Sequence, residues 1–433
     1  MHTRSLPLVA ALLLSAGEVV AQAPAPARQP PLQGRTPAEC LQGAADARTR
    51  MITQARQAGA AVDAAAIFAE ARRLAGDCAA RFPVATTAPR DLAALASLYL
   101  FAGDTAGARR ATDRLLATPG LSPRERGEAY LAAIRSAIAA ADPFAGPVAG
   151  AETLARQLDA LPDSLLDLKL SAHEQLRAQY DYADVDDGLR AHAIAVLDLL
   201  ALAQRLGVPL PQRTAQSARV QAYLSLARTA ADFLHPDSAL AVLERAEAEC
   251  GPDARSAFAD PRALYGLVGT RAAPIVAGHW VNAPDTLTTL PLGNGRVTLI
   301  QFTAHWCAPC RNSYPGFKRV AARFANTAFD PVFVTGIYGM FEGRRATVEE
   351  ELAADRTYYG EHWAIPFRVA ILVPPAGAAA GAEIALDQAY HVAGVPQIVA
   401  VDKRGIIRQI VTGWDHGNEE RLGRLIEQLE REP

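Results

Sequence analysis

The chain has 433 residues, half of them apolar and 21% charged, with a mean hydropathy of +0.04. That excludes a disordered protein and exceeds what one core usually organises, so two domains behind a leader are expected. A net charge of −3 and a pI near 6.3 leave no broad basic surface for neutralising phosphates, which argues against nucleic acid as a partner. Three lysines (Lys169, Lys318, Lys403) stand against forty arginines, so lysine-based Schiff-base chemistry has few places to occur.

At the N-terminus Arg4 precedes an apolar run over 6–16, and Val19 and Ala21 suit cleavage before Gln22. Residues 1–21 read as a secretory leader: the run of about a dozen residues is short of the roughly 20 that span a bilayer. An uncleaved membrane anchor is the alternative. Residues 22–35 (QAPAPARQPPLQGR) read as an extended Pro/Ala-rich linker. Export to the periplasm or beyond would place the thiols in an oxidising compartment.

Residues 36–260 are dominated by alanine, leucine and arginine at helical spacing, with Gly or Pro breaks, and predict an all-helical domain. Two stretches suggest helix hairpins. Leu92, Leu95 and Tyr99 precede a break at Gly103-Asp104, followed by Ala108, Ala111 and Leu115; Tyr223, Leu224 and Leu226 precede His235-Pro236, followed by Ala239, Leu240, Leu243 and Ala246. This spacing resembles tetratricopeptide repeats, and generic helical packing explains it equally well. A stacked solenoid would offer a concave face to a protein partner. Cys40 and Cys78 lie 20 and 18 residues from a turn expected near residue 60, with Asp63 as the next N-cap, so the two stand level across an antiparallel hairpin and predict a structural disulfide. Two buried free thiols are the alternative. Cys250 has no predicted partner and reads as a buried apolar thiol.

From residue 264 to 433, β-branched runs alternate with amphipathic helices, the habit of an α/β domain. The run 296–302 suits a buried strand and leads through Thr303-Ala304-His305 into Trp306-Cys307-Ala308-Pro309-Cys310, then into helical spacing over 311–325. A CxxC at a helix start sits beside unpaired N–H groups and the positive dipole end. A free thiol of pKa ~8.5 is about 3% thiolate at pH 7, whereas one shifted to ~7 is half ionised. Cys307, nearer the helix start and expected to be the more exposed, is the candidate nucleophile; Cys310 would resolve the mixed disulfide. A purely structural disulfide closes too small a loop to stabilise much, and zinc lacks a second ligand pair in this region.

Trp306, the CxxC and Pro315 resemble the active-site strand and kinked helix of the thioredoxin superfamily. The segment Tyr390-His391-Val392-Ala393-Gly394-Val395-Pro396, continuing to Asp402 and Gly405, is similar to that superfamily's cis-proline segment, and Gly413 with a closing helix over 419–430 continues the match. The nine-residue step from Pro396 to Gly405 and the insertion before it resemble the TlpA-like branch of exported thiol-disulfide oxidoreductases more than plain thioredoxin. The resemblance implies a thioredoxin-like domain over 264–433 and no cofactor beyond the redox-active cysteines. It implies a cis Pro396, with Trp306, Val395 and Pro396 positioning a protein thiol or disulfide substrate, and a membrane dithiol as electron donor. The chain departs from the pattern at Gln301, where thioredoxins carry a buried aspartate that accepts a proton, and at Thr303, where an aromatic residue is usual. Glu361 and His305 are the candidates for proton handling in its place, with an exposed ion-paired glutamate and a loop histidine as the alternatives. The segment 374–382 (PPAGAAAGA) reads as a loop extension. Competing functions are a copper carrier using Cys307, Cys310 and His391, peroxide reduction, and a helical adaptor with an accessory redox domain.

Overall fold

The computed structural model describes residues 28–57, 64–141, 148–183, 185–231, 236–342, 344–374, 385–414 and 417–432. The leader over 1–21, most of the linker, the turn expected near residue 60 and most of the loop over 374–382 lie outside them. The chain forms two compact units, Met1–Gly120 and Leu121–Pro433.

In the first unit, α1 (Pro37–Gln57) and α2 (Ala64–Ala79) pair, followed by α3 (Leu92–Ala102) and α4 (Thr105–Leu116). Gly103 ends α3 at φ +85°, and the Asp104 carboxylate accepts the Gly107 N–H at 2.7 Å to start α4. Ala96, Ala108 and Ala111 are fully buried where those two helices meet. Cys40 and Cys78 are joined as a disulfide between α1 and α2, with Cα atoms 6.1 Å apart.

The second unit opens with seven helices: α5 (Pro123–Ala140), α6 (Ala149–Asp159), α7 (Leu166–Tyr182), α8 (Asp186–Leu206), α9 (Gln212–Ala230), α10 (Pro236–Cys250) and α11 (Arg255–Tyr265). Then come β1 (Ile275–Val276), β2 (His279–Val281), β3 (Thr289–Leu290), β4 (Val297–Phe302), α12 (Ala308–Arg323), β5 (Phe329–Gly336), β6 (Met340–Phe341), β7 (Arg344–Arg345) and α13 (Val348–Thr357). The chain closes with β8 (Arg368–Leu372), α14 (Ala385–Ala389), β9 (Gln397–Val401), β10 (Ile407–Thr412) and α15 (Asn418–Arg431). The main sheet runs β10-β9-β4-β5-β8-β2, parallel at β4–β5 and β5–β8 and antiparallel elsewhere.

Side-chain alternation along the strands builds two cores. Val297, Leu299, Phe333, Val369, Ile398 and Ala400 face α12 and α15, whose Phe317, Val320, Leu422 and Ile426 cover them. Ile300, Phe302, Val332, Val334, Val399 and Val401 point the other way, into a core continued by Val196, Tyr223, Leu243, Phe258 and Tyr265 of the helices. The compact unit begins at Leu121, ahead of the change in sequence texture near residue 264, and the core on this face of the sheet is continuous with buried residues of α8–α11. The Gln409 side chain adds a hydrogen bond to the Ala231 carbonyl across that junction. Cys250, at the end of α10, is a buried free thiol whose pKa burial pushes up.

Candidate active site

Six consecutive buried residues of β4 carry the chain to the centre of the sheet, and α12 starts six residues later. Cys307 is the N-cap of α12: its sulfur accepts the Cys310 N–H at 3.1 Å. A sulfur anion formed there would meet an N–H that the helix leaves unpaired. Cys307 and Cys310 are joined as a disulfide with Cα atoms 5.3 Å apart. Both are buried, Cys307 at 3% exposure and Cys310 at 0%, so the expected contrast in exposure is small. The exposed residue is Trp306, at 48%, whose ring meets Tyr338 edge-on at 5.3 Å.

The Val395–Pro396 peptide is cis. Val395 is half-buried, and its carbonyl oxygen lies 3.5 Å from Cys307 Sγ. Beside it a cavity of about 230 Å³ is walled by Phe302, Thr303, Trp306, Tyr338 and Val395. The structure thus brings Trp306, Cys307, Cys310, Val395 and Pro396 together.

Below the cysteines, Gln301 is fully buried and donates to Ser313 Oγ at 2.7 Å, and Ser313 donates to the Cys310 carbonyl at 2.6 Å. An amide thus fills the position with hydrogen bonds and no titratable group. Thr303 is buried too, its hydroxyl 2.8 Å from that of Tyr314.

The two residues expected to handle protons part company. Glu361 is exposed, in the π-helical turn Tyr358–His362 that follows α13. His305 is a loop histidine, in the turn between β4 and α12, but a buried one: it is 5% exposed, and its Nε2 stands 3.1 Å from Glu351 Oε1. Burial lowers its pKa, against the pull of Glu351. Its carbonyl accepts from Arg311 at 3.0 Å and from the Tyr358 hydroxyl at 3.1 Å, fixing the turn just before Trp306.

Sequence reasoning missed Glu351 and Asp355, both at 0% exposure on α13. Glu351 accepts the backbone N–H groups of Tyr338 (2.8 Å), Gly339 (2.6 Å) and Met340 (3.1 Å) as well as facing His305. Asp355, one turn on, has neither oxygen hydrogen-bonded, and its pKa is pushed up to about 8 by burial, with the Glu351 charge adding to it. The capping box of Thr347 and Glu350 marks where α13 begins, but three successive glutamates leave open which one turns inward. His391 is exposed, and among the described residues no group of three or more His, Cys, Asp or Glu is arranged to hold a metal ion.

No family model matches the chain. It is 35% identical to thioredoxin H2-1 of rice (Oryza sativa subsp. japonica) over 69 residues, 16% of this chain and 49% of that one. It is 36% identical to the thiol:disulfide interchange protein HelX of Rhodobacter capsulatus over 56 residues, 13% of this chain and 32% of that one. The chain thus spans half or less of the length of these curated relatives. A solved thiol-disulfide isomerase from Corynebacterium glutamicum aligns over 38% of this chain and 98% of its own, at 20% identity and a TM-score of 0.31. The central sheet with its flanking helices and the CxxC at the head of α12 give part of this chain a thioredoxin-like fold.

Proposed function

We propose that this protein is an exported thiol-disulfide oxidoreductase that reduces disulfides in protein substrates through Cys307 and Cys310. The observation that carries this reading is the seat of Cys307 Sγ, which accepts the Cys310 N–H at the start of α12 and lies 3.5 Å from the Val395 carbonyl. A substrate strand pairing with Val395 would bring its own sulfur onto Cys307. In the reducing direction the Cys307 thiolate attacks the substrate disulfide, one substrate sulfur leaves, and Cys310 displaces the other from the mixed disulfide. The two electrons end in the substrate thiols, and the Cys307–Cys310 disulfide is reduced again by a membrane dithiol. No bound cofactor enters this cycle. Trp306 and Pro396 shape the seat for the substrate.

Export is supported by the leader-like residues 1–21 and by the interchange protein among the relatives. Among the described residues no helix is long and apolar enough to cross a membrane. The test is Cys310→Ser in the full chain, expressed in the native host: Cys307 should accumulate mixed disulfides with protein partners, and Cys307→Ser/Cys310→Ser should accumulate none. No captured protein, together with no reduction of insulin by the wild type, would overturn the reading. A redox potential near −120 mV, at the oxidising end of related CxxC sites, would reverse the direction.

A further inference from the structure

Helices α6, α7 and α8 meet around two buried imidazoles that the thiol chemistry does not use. His173 of α7 and His192 of α8 are 8% and 5% exposed, and their Nδ1 atoms stand 2.8 Å apart. Each ring reaches α6 through its other nitrogen. His173 Nε2 lies 3.2 Å from both carboxylate oxygens of Asp159. His192 Nε2 lies 2.9 Å from Glu152 Oε1, which also accepts the Tyr180 hydroxyl at 2.5 Å. Through the two rings the three helices are tied pairwise: α6 to α7, α7 to α8 and α6 to α8.

Counting hydrogens fixes the charge this arrangement carries. A ring nitrogen facing a carboxylate shares one hydrogen with it, and two Nδ1 atoms at hydrogen-bond distance share one between them. The three contacts therefore need three hydrogens, whereas two neutral imidazoles beside two carboxylates bring only two. One further proton completes the set. A second N–H pointed into the Nδ1–Nδ1 gap would break that contact by repulsion, and removing the shared hydrogen would leave two lone pairs facing each other at 2.8 Å.

We propose that His173 and His192, with Asp159 and Glu152, form a binding site for one shared proton that clamps α6, α7 and α8 together and weakens towards both acid and alkali. The proton exchanges with water through Asp159, whose side chain is 41% exposed. Burial lowers the pKa of His192, against the pull of Glu152, and two rings sharing a proton titrate as a pair. The other groups around them are Arg156 of α6, near Glu152, and Tyr180 of α7, whose ring stacks on His192 at 5.4 Å. From α5, Leu131 and Ile134 join the apolar core alongside, and Arg135 bonds Gln175. From α9, Ser225 holds Arg177, which also pairs with Glu174. The sign of the pH dependence follows from the proton count. Below the ordinary histidine pKa of about 6.5 the unfolded chain carries a proton on each of these histidines and the folded pair only one, so acid favours unfolding. Above it the unfolded rings carry none and the folded pair still holds one, so alkali favours unfolding too.

The test compares the full-length protein with His173→Gln/His192→Gln by urea denaturation between about pH 5 and pH 8, where carboxylates stay largely ionised in the unfolded chain. The unfolding constant of the wild type relative to the variant should be smallest near pH 6.5 and rise by up to about tenfold per pH unit on either side. A ratio that is flat, or that moves in one direction across the whole range, would overturn the inference. A second measurement needs no variant and decides alone if the double substitution does not fold. In wild-type protein labelled with nitrogen-15 at histidine, one strongly downfield imidazole proton should couple to the Nδ1 atoms of two different rings at about pH 6.5. Absence of that doubly coupled proton also sinks the assignment. Neither readout involves Cys307, so the oxidoreductase reading stands or falls separately.

Discussion

Asp402 shows how one carboxylate fixes the turn that brings β10 back beside β9. It is nearly buried, accepts the Arg404 and Ile406 N–H groups at 2.9 and 3.0 Å, and faces the Arg404 and Arg408 guanidinium groups. Burial raises its pKa, but these donors outweigh it and hold the carboxyl below its ordinary value. A carboxylate whose pKa falls on folding contributes stability that is full above its unfolded pKa and fades as pH drops through the folded one. Asp402→Ala should therefore lower unfolding free energy by about 1–3 kcal/mol at pH 7. The difference from wild type should shrink below about pH 4, as read by urea denaturation at each pH. Gly316, next to the helix proline Pro315, is a second single-residue test: a Cβ there would stand 2.4 Å from Trp414 Cζ2. Gly316→Ala should cost about 1–3 kcal/mol of stability, measured the same way. At this scale the two cysteines were legible because their spacing at a helix start is itself the chemistry, whereas Trp306 and Pro396 were legible only through the resemblance to a known family. Glu351 and Asp355 were not, since an acidic stretch at helical spacing ordinarily marks a solvated face. Here α13 turns those two carboxyls inward under the loop from Tyr338 to Met340, while Glu361 beside the aromatics faces water.

Among elements, the hairpin of α1 and α2 carries a covalent tie across 38 residues of sequence. Closing a loop of that length removes chain entropy worth roughly 4 kcal/mol from the unfolded state. Cys40→Ser/Cys78→Ser should lower the thermal midpoint of the first unit and leave thiol exchange at Cys307 unchanged, a pairing of calorimetry and activity that separates the two disulfides. The passage from β4 through the CxxC into α12, the strand β9 and the closing α15 follow the periodicities expected of them, because each buries a continuous apolar set. The pairs β1–β3 and β6–β7 have two residues in each strand, too few to show any period. The place of β2 at the sheet edge depends on pairing with β8 some ninety residues away, which no local pattern encodes.

For the whole second unit, the change in sequence texture near residue 264 and the limit of compactness at Leu121 answer different questions. Residue types follow the local element, so texture changes where helices give way to strands. Compactness follows burial, and the core on the sheet face carrying Ile300, Val332 and Val399 is continuous with buried residues of α8–α11. A chain beginning at residue 264 should expose that face, bind the dye ANS and melt lower than one beginning at residue 121, or fail to accumulate in soluble form. Equal melting of the two truncations would show that the helices contribute nothing to the sheet's stability.

The carbonyl of Val395 and the sulfur beside it form one seat, not two. On the proposed cycle the disulfide-bearing client and the reductant that recharges the cysteines must occupy it by turns, since neither can reach Cys307 while the other is bonded there. Steady-state velocities measured against both should then give parallel double-reciprocal lines, and an excess of either should inhibit the other competitively.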